Sequence, residues 1–324
     1  MLDEAENYLM RALSLAEKAS RLDLISSVYN RLGGVHYQKD HMKKASGFVS
    51  KSIAIREEIG DVLGVARSYN NLGNLGWKSG LWDDALVNFK RSAEMQVRLG
   101  DVEGIIELNS NLGLLQIDRG YTDEARQYLD IALGRAEQIG HNFHIALANH
   151  HLSLLDAAIE NWSSGLEYGL RSEALFKSLG EKANLVDVYV NLGVIYLGLR
   201  DLVSANRCGE QALTLLDDFA SGSETEVRGC ALRLLGDVAL VVHDIEASKK
   251  FYHQAEVIFD QVGNRLERGR LLMSIARLAM VQSNRLLASS CLSLAKKLFE
   301  QLGARLDLRR LAMLRARVGL SPAA

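Results

Sequence analysis

Apolar residues recur at helical spacing along almost the whole chain, as in Leu86, Phe89, Met95 and Leu99, with charged and amide residues between them. This pattern predicts amphipathic helices and no strands. It breaks only at short clusters: Ser79-Gly80-Leu81-Trp82-Asp83-Asp84-Ala85, Arg119-Gly120-Tyr121-Thr122-Asp123-Glu124-Ala125 and Leu199-Arg200-Asp201-Leu202-Val203-Ser204-Ala205. In each cluster Gly or Asp stops one helix. Acidic residues then open the next helix, where they face the positive end of its dipole.

The breaks are periodic. Gly60, Gly100, Gly140 and Gly180 stand 40 residues apart, each after Ile or Leu, and after one irregular step the signal returns at Gly263 and Gly303. A second series of small residues runs in phase with the first. Its triplets are Gly33/Ala45/Ser52, Gly73/Ala85/Ser92, Gly113/Ala125/Ala132, Ser153/Gly165/Ser172, Gly193/Ala205/Ala212, Gly236/Ser248/Ala255 and Ala276/Ala288/Ala295. All 21 positions are Gly, Ala or Ser, against about a quarter of the chain overall, so the spacing is not chance. Close crossing of two antiparallel helices requires such residues, because a larger side chain forces the backbones apart. One helix pair cannot bury its apolar face alone, so the pairs must stack.

Composition supports a helical array. Among 324 residues the one proline is Pro322, and 38 Lys+Arg balance 40 Asp+Glu. Loops and domain junctions normally use proline at about 5 %. The near-neutral charge gives no global reason to expect nucleic acid or an anionic membrane. No apolar run reaches the ~18 residues of a membrane span. The start, Met1-Leu2-Asp3-Glu4, is acidic where a secretory signal is basic, so the expected compartment is the cytoplasm. Cys208, Cys230 and Cys291 lack metal-knuckle or disulfide spacing and read as small buried thiols.

The segment Arg67-Ser68-Tyr69-Asn70-Asn71-Leu72-Gly73-Asn74, followed by Ala85, Phe89 and Ser92, resembles the tetratricopeptide repeat in its longer form of about 40 residues. Tyr69 stands where that family often has Trp, Leu72-Gly73 matches its Leu-Gly, and Ala85 and Phe89 match its Ala-x3-Phe. The family's terminal Pro is absent from every repeat. The resemblance implies an all-α, right-handed α-solenoid, a superhelix of stacked antiparallel helix pairs, forming a single array over residues 1–324. Residues 1–20 match an unpaired second helix, residues 21–303 hold seven helix pairs, and residues 304–319 close the array as a capping helix. Three added residues fall within Asp217–Thr225, a junction rich in turn formers.

In this family the first helix of each pair lines the concave surface. Positions two before the small residue then face inward: Arg31, Asn71, Asn111, His151, Asn191, Leu234 and Ser274. One turn away lie Ser27, Arg67, Glu107, Asp187 and Arg270, with Asn30, Asn70 and His150 alongside; Asn74 continues the face. An amide offers both donor and acceptor, so a row of Asn pairs with the backbone of an extended peptide without reading its side chains. Arg31 and Arg67 add bidentate attraction for a carboxylate. The array resembles the spindle-orientation adaptors related to Pins, which hold peptides through such residues. The expected peptide-binding set is Arg31, Arg67, Asn70, Asn71, Asn74, Asn111, His151 and Asn191. Set against it, Asn at these positions also serves to bridge neighbouring helices. Lys is absent from the row, which argues against a chaperone-tail clamp. Val190, Val194, Leu234 and Met273 make the later half of the face apolar.

Catalysis is not expected, because no nucleophile–base pair or paired carboxylate stands out. No cofactor and no metal is implied. His141, His144, His150 and His151 lack ligand spacing and read as exposed or groove-lining, while Trp77, Trp82 and Trp162 read as packing anchors. Residues 265–317 carry 12 Lys+Arg and 3 Asp+Glu, which reads as a solvated outer face of the closing helix or a dock for an acidic partner. The unpaired first helix should expose Leu2, Leu9 and Leu13, either because a longer protein was cut there or because it self-associates. The expected function is a non-catalytic scaffold binding a peptide or protein segment, with neither nucleic acid nor membrane as partner. The alternative is an effector-sensing region of a larger signalling ATPase, cyclase or transcriptional activator. The run Phe299-Glu300-Gln301-Leu302-Gly303-Ala304-Arg305 is similar to repeat regions of such proteins, including maltose-regulator-like activators.

Overall fold

The breaks read from the sequence are helix ends in the structure, a computed structural model that describes residues 2–39, 41–218 and 226–317. The described residues form α1 (Leu2–Lys18), α2 (Leu22–Gln38), α3 (Met42–Glu58), α4 (Val62–Lys78), α5 (Trp82–Leu99), α6 (Val102–Arg119), α7 (Thr122–Gln138) and α8 (Asn142–Ala158). They continue as α9 (Trp162–Leu179), α10 (Lys182–Gly198), α11 (Leu202–Asp218), α12 (Glu226–Val241), α13 (Ile245–Val262), α14 (Arg265–Val281), α15 (Arg285–Leu302) and α16 (Arg305–Arg317). All but the first two residues of the expected junction, residues 219–225, and the end of the expected capping helix, residues 318 and 319, lie outside the described residues.

Local chemistry sets the boundaries. Gly60, Gly100, Gly140, Gly180, Gly263 and Gly303 follow the second helices with φ between 65° and 73°, the left-handed conformation that ends a helix without a Cβ clash. Where glycine is missing, Glu160, Arg200, His243 and Ser283 take the same conformation at φ 60–66°. At the opposite ends Asp61, Asp244 and Asn264 accept from the backbone N–H three residues on, at 2.9, 3.0 and 2.9 Å.

Helices pack in antiparallel pairs, α2 on α3, α4 on α5, α8 on α9, α10 on α11, α12 on α13 and α14 on α15, and each pair then meets the next, as α3 meets α4 and α9 meets α10. The architecture is all-α, a solenoid of stacked helix pairs. The small-residue positions are where the pairs touch. A Cβ on Gly73 would stand 2.4 Å from the Phe89 ring, and one on Gly236 would stand 2.4 Å from Tyr252. Ala45, Ala85, Ala125, Ala205, Ala288 and Ala295 have no exposed surface. Serines in the series also bond across the crossing: Ser52 Oγ donates to Ser26 O at 2.7 Å and Ser92 Oγ to Ala66 O at 2.8 Å.

The chain forms two compact units, residues 1–115 and 116–324. In the first, Leu9, Leu13 and Ala16 of α1 pack with Ile25, Val28 and Leu32 of α2. Lys39 fastens the pair by donating to Asp3 and Glu6. The expected exposure of Leu9 and Leu13 is therefore corrected: α1 uses its apolar seam on α2, leaving Leu2 at the end and Tyr8 and Leu15 on other sides exposed. In the second unit Phe176, Leu185, Val188 and Leu192 build one part of the core, and Tyr252, Phe259 and Leu271 another. Trp82 is buried at the start of α5, and Trp162, at the start of α9, covers Gly198. Both act as packing anchors.

Candidate functional site

The first helices of the first unit carry a row of amides and guanidinium groups. Asn71 Nδ2 donates to Asn30 Oδ1 at 3.0 Å, and Asn111 Nδ2 donates to Asn70 Oδ1 at 3.0 Å. Each bond joins one first helix to the first helix of the preceding pair, which fixes the spacing of the row. Asn70 is buried, whereas Asn71, Asn74 and Asn111 are half-buried and Arg31 is exposed. Arg67 lies 3.5 Å from Asp101 with more than half of its side chain in solvent. The row is thus both a set of helix bridges and an accessible polar strip.

The same register is closed in the second unit. His151, Asn191, Leu234 and Ser274 are all buried, at 6, 5, 1 and 1 % exposure. Asn191 Nδ2 donates to Ser153 Oγ at 2.8 Å, and Ser153 Oγ donates to Gly165 O at 2.6 Å, so this amide is tied to the adjoining pair. His144, His150 and His151 are buried, which overturns the exposed half of the expectation that the histidines are exposed or groove-lining. Burial lowers the His150 pKa to about 4, and burial together with the neighbouring His150 charge lowers that of His151 to about 3. Their Nδ1 atoms and Asn149 Oδ1 are buried without a hydrogen-bond partner. Asp187, at the position equivalent to Arg67, stays in solvent contact yet is ringed by protein. That desolvation, with Glu226 repelling it, raises its pKa to about 6.

The expected apolar character of the later half holds for Val190, Leu234 and Met273, which are buried, but a charge network lies beside them. Arg233 pairs with Glu267 at 2.9 Å and Asp237 at 3.8 Å. Tyr252 donates to Asp237 at 2.8 Å. Arg270 donates to Glu267 at 2.6 Å and to both oxygens of Asp307 at 3.1 Å each. Burial alone would raise the Glu267 pKa, but Arg233 and Arg270 overcome it and hold the carboxyl at about 2. Burial likewise opposes the Arg270 charge, and Asp307, Glu267 and Asp118 more than compensate. The expected solvated Arg face of the closing helix is correct for Arg305, Arg309 and Arg317 and wrong for Arg310, which is only about a quarter exposed. Sequence reasoning placed Arg270 on the inner row but missed its partners, because Glu267 and Asp307 stand on other turns and another helix.

Between α9, α10 and α11, Glu173, Lys177, Leu192, Tyr196, Arg207, Cys208 and Gln211 line a cleft of about 260 Å³. Cys208 is buried there with its pKa raised to about 11 by desolvation, so its thiol is unreactive. Among the described residues, no group of three His, Cys, Asp or Glu side chains is placed to hold a metal ion, and no helix is long and apolar enough to cross a membrane.

No family model matches the chain, and no curated protein matches it in sequence. Solved structures do match its fold. A Rap conjugation gene regulator of the plasmid pLS20, in complex with the Phr peptide, superposes with a TM-score of 0.72 at 15 % identity, over 92 % of this chain and 78 % of that one. The apo form of RapI gives 0.68 at 9 % identity, over 86 % and 98 %. A Signal Transduction ATPase with Numerous Domains from Pyrococcus horikoshii, with a tetratricopeptide repeat sensor, gives 0.60 at 14 % identity over 97 % of this chain. The match spans 51 % of that protein. The fold is tetratricopeptide-like.

Proposed function

We propose that the chain is a non-catalytic cytoplasmic scaffold that binds a peptide or protein segment along its first-helix face. We further assign it to the 40-residue-period subclass of tetratricopeptide arrays, with Pins-like and maltose-regulator-like relatives. The observation that carries the reading is the strip Arg31, Arg67, Asn71, Asn74 and Asn111, which keeps polar atoms at the surface at fixed steps. Amides held in register by their own bridges lose little freedom on meeting an extended backbone, and the two guanidinium groups attract a carboxylate. Asn70, His151 and Asn191 act as supports of the face. The likeness to a Rap regulator that holds a Phr peptide favours the same reading.

Selection of peptides on the full chain, followed by binding to the Arg31→Ala/Arg67→Ala variant, tests it. The selected peptide should bind that variant at least tenfold more weakly, with an unchanged melting temperature. Equal affinity would remove the strip as the site.

One observation favours a second reading, a sensor region of a larger regulator: the match to the signal-transduction ATPase covers nearly all of this chain and about half of that protein. A native reading frame that joins this array to a nucleotide-binding domain would support it.

A further inference from the structure

In a stack of repeats each pair touches only its neighbours. The second unit departs from this rule at its last helix. Arg270 of α14 binds both oxygens of Asp307 on α16 at 3.1 Å each, and its Nη2 also lies 3.6 Å from Asp118 at the end of α6. The Arg305 guanidinium sits 4.5 Å above the Tyr121 ring. The backbone N of Leu306 lies 2.7 Å from where a Cβ on Gly120 would stand, so the turn before α7 meets α16 at backbone contact. Arg310 donates to Ala158 O at the end of α8. Apart from the Arg270–Asp307 pair, these contacts skip α9 to α13.

We infer that α16 is a clasp: it closes the second unit on itself by joining residues 118–121 and 158 to α14, and its release opens the buried first-helix face. Asp307 is the pin, being 2 % exposed with its carboxylate on Arg270. Glu267 and Arg233 extend the network to α12, where the Cys230 thiol neighbours Glu267. The helix itself is separable. It has 13 residues, of which only Asp307 and Leu311 are buried, and it meets Gly120, Tyr121, Ala158 and Arg270 through a backbone approach, a cation–π contact, a hydrogen bond and an ion pair. Few buried apolar contacts place an element at the low-stability end of a fold. The inference goes beyond the peptide-binding reading and stands on these contacts alone.

Hydrogen exchange and thiol labelling of the full chain test it. In wild type, amides of residues 305–317 should open independently of α12, and Cys230 should react slowly with N-ethylmaleimide. Asp307→Asn removes the charge but keeps the shape. It should speed exchange of α16 at least tenfold and labelling of Cys230 likewise, with α10 amides and Cys208 unchanged. Arg305→Ala, an exposed residue whose loss does not threaten folding, should speed α16 exchange about threefold. The clasp is refuted if α16 opens only together with α12 in all three proteins, or if α16 opens while Cys230 stays as protected as before.

Discussion

Asn71 and His151 occupy the same register of the repeat, two positions before the small residue, in the first and second units. Asn71 is half-exposed and bridges to Asn30; His151 is buried, with its pKa pulled to about 3 and Nδ1 unpaired. Arg67 and Arg270 form a second such pair. Arg67 has most of its side chain in water and one partner at 3.5 Å, whereas Arg270 is flanked by Glu267, Asp307 and Asp118. Equivalent positions in a repeat therefore do different work. In the first unit they form a surface, and in the second they form an interior whose polar groups must find partners or shed charge.

The largest expected break in this comparison comes from acid. Both second-unit imidazoles bind a proton less readily folded than unfolded, so the stability they carry is present above about pH 6.5 and is lost as pH falls toward 4, by several kcal/mol in order of magnitude. Melting temperature followed from pH 7 to 4.5 should drop steeply in wild type and less steeply in His150→Asn/His151→Asn. Asp187 works in the opposite sense, since its raised pKa favours the folded form as it protonates.

Glu267→Ala comes next. It leaves Arg233 and Arg270 short of a buried carboxylate and should cost about 3–5 kcal/mol in urea denaturation. Its counterpart at a pair with only one side exposed, Asp101→Ala opposite Arg67, removes an N-cap as well and should cost about 1–2 kcal/mol.

Gly73→Ala and Gly236→Ala set the two units level. Each adds a methyl facing an aromatic ring at 2.4 Å, so each should destabilise by about 1–3 kcal/mol. A large difference between them would show that one crossing can relax. A smaller effect belongs to Asn71→Ala, which removes one half-buried bridge and should cost about 0.5–1.5 kcal/mol. The smallest is a gain: Arg200→Gly relieves a left-handed residue at φ 66° and should raise stability by up to about 1 kcal/mol.

Much of the fold was legible because its rules are local and repeated. Gly33, Ala45 and Ser52 report a helix crossing that recurs at each step, and Gly263 or Gly303 reports a helix end set by a single φ. The opening helix was misread at Leu9 and Leu13, since a seam without a partner in sequence still found one in α2. The candidate site was half legible. The amide row at Asn71 and Asn111 could be named from register, and its double life as helix bridges was weighed as the competing use. The burial of His150, His151 and Asn191 could not be named, because the same register is open in one unit and sealed in the other.

Sequence alone determined which residues form helices, where each helix stops and which face of each pair must stay small. All three depend on contacts within a few turns or one repeat. Only the tertiary structure decided that Asp307 meets Arg270 and that α16 reaches Gly120 and Ala158. Those meetings depend on how small rotations accumulate over several helix pairs in the second unit, and no single repeat encodes that sum.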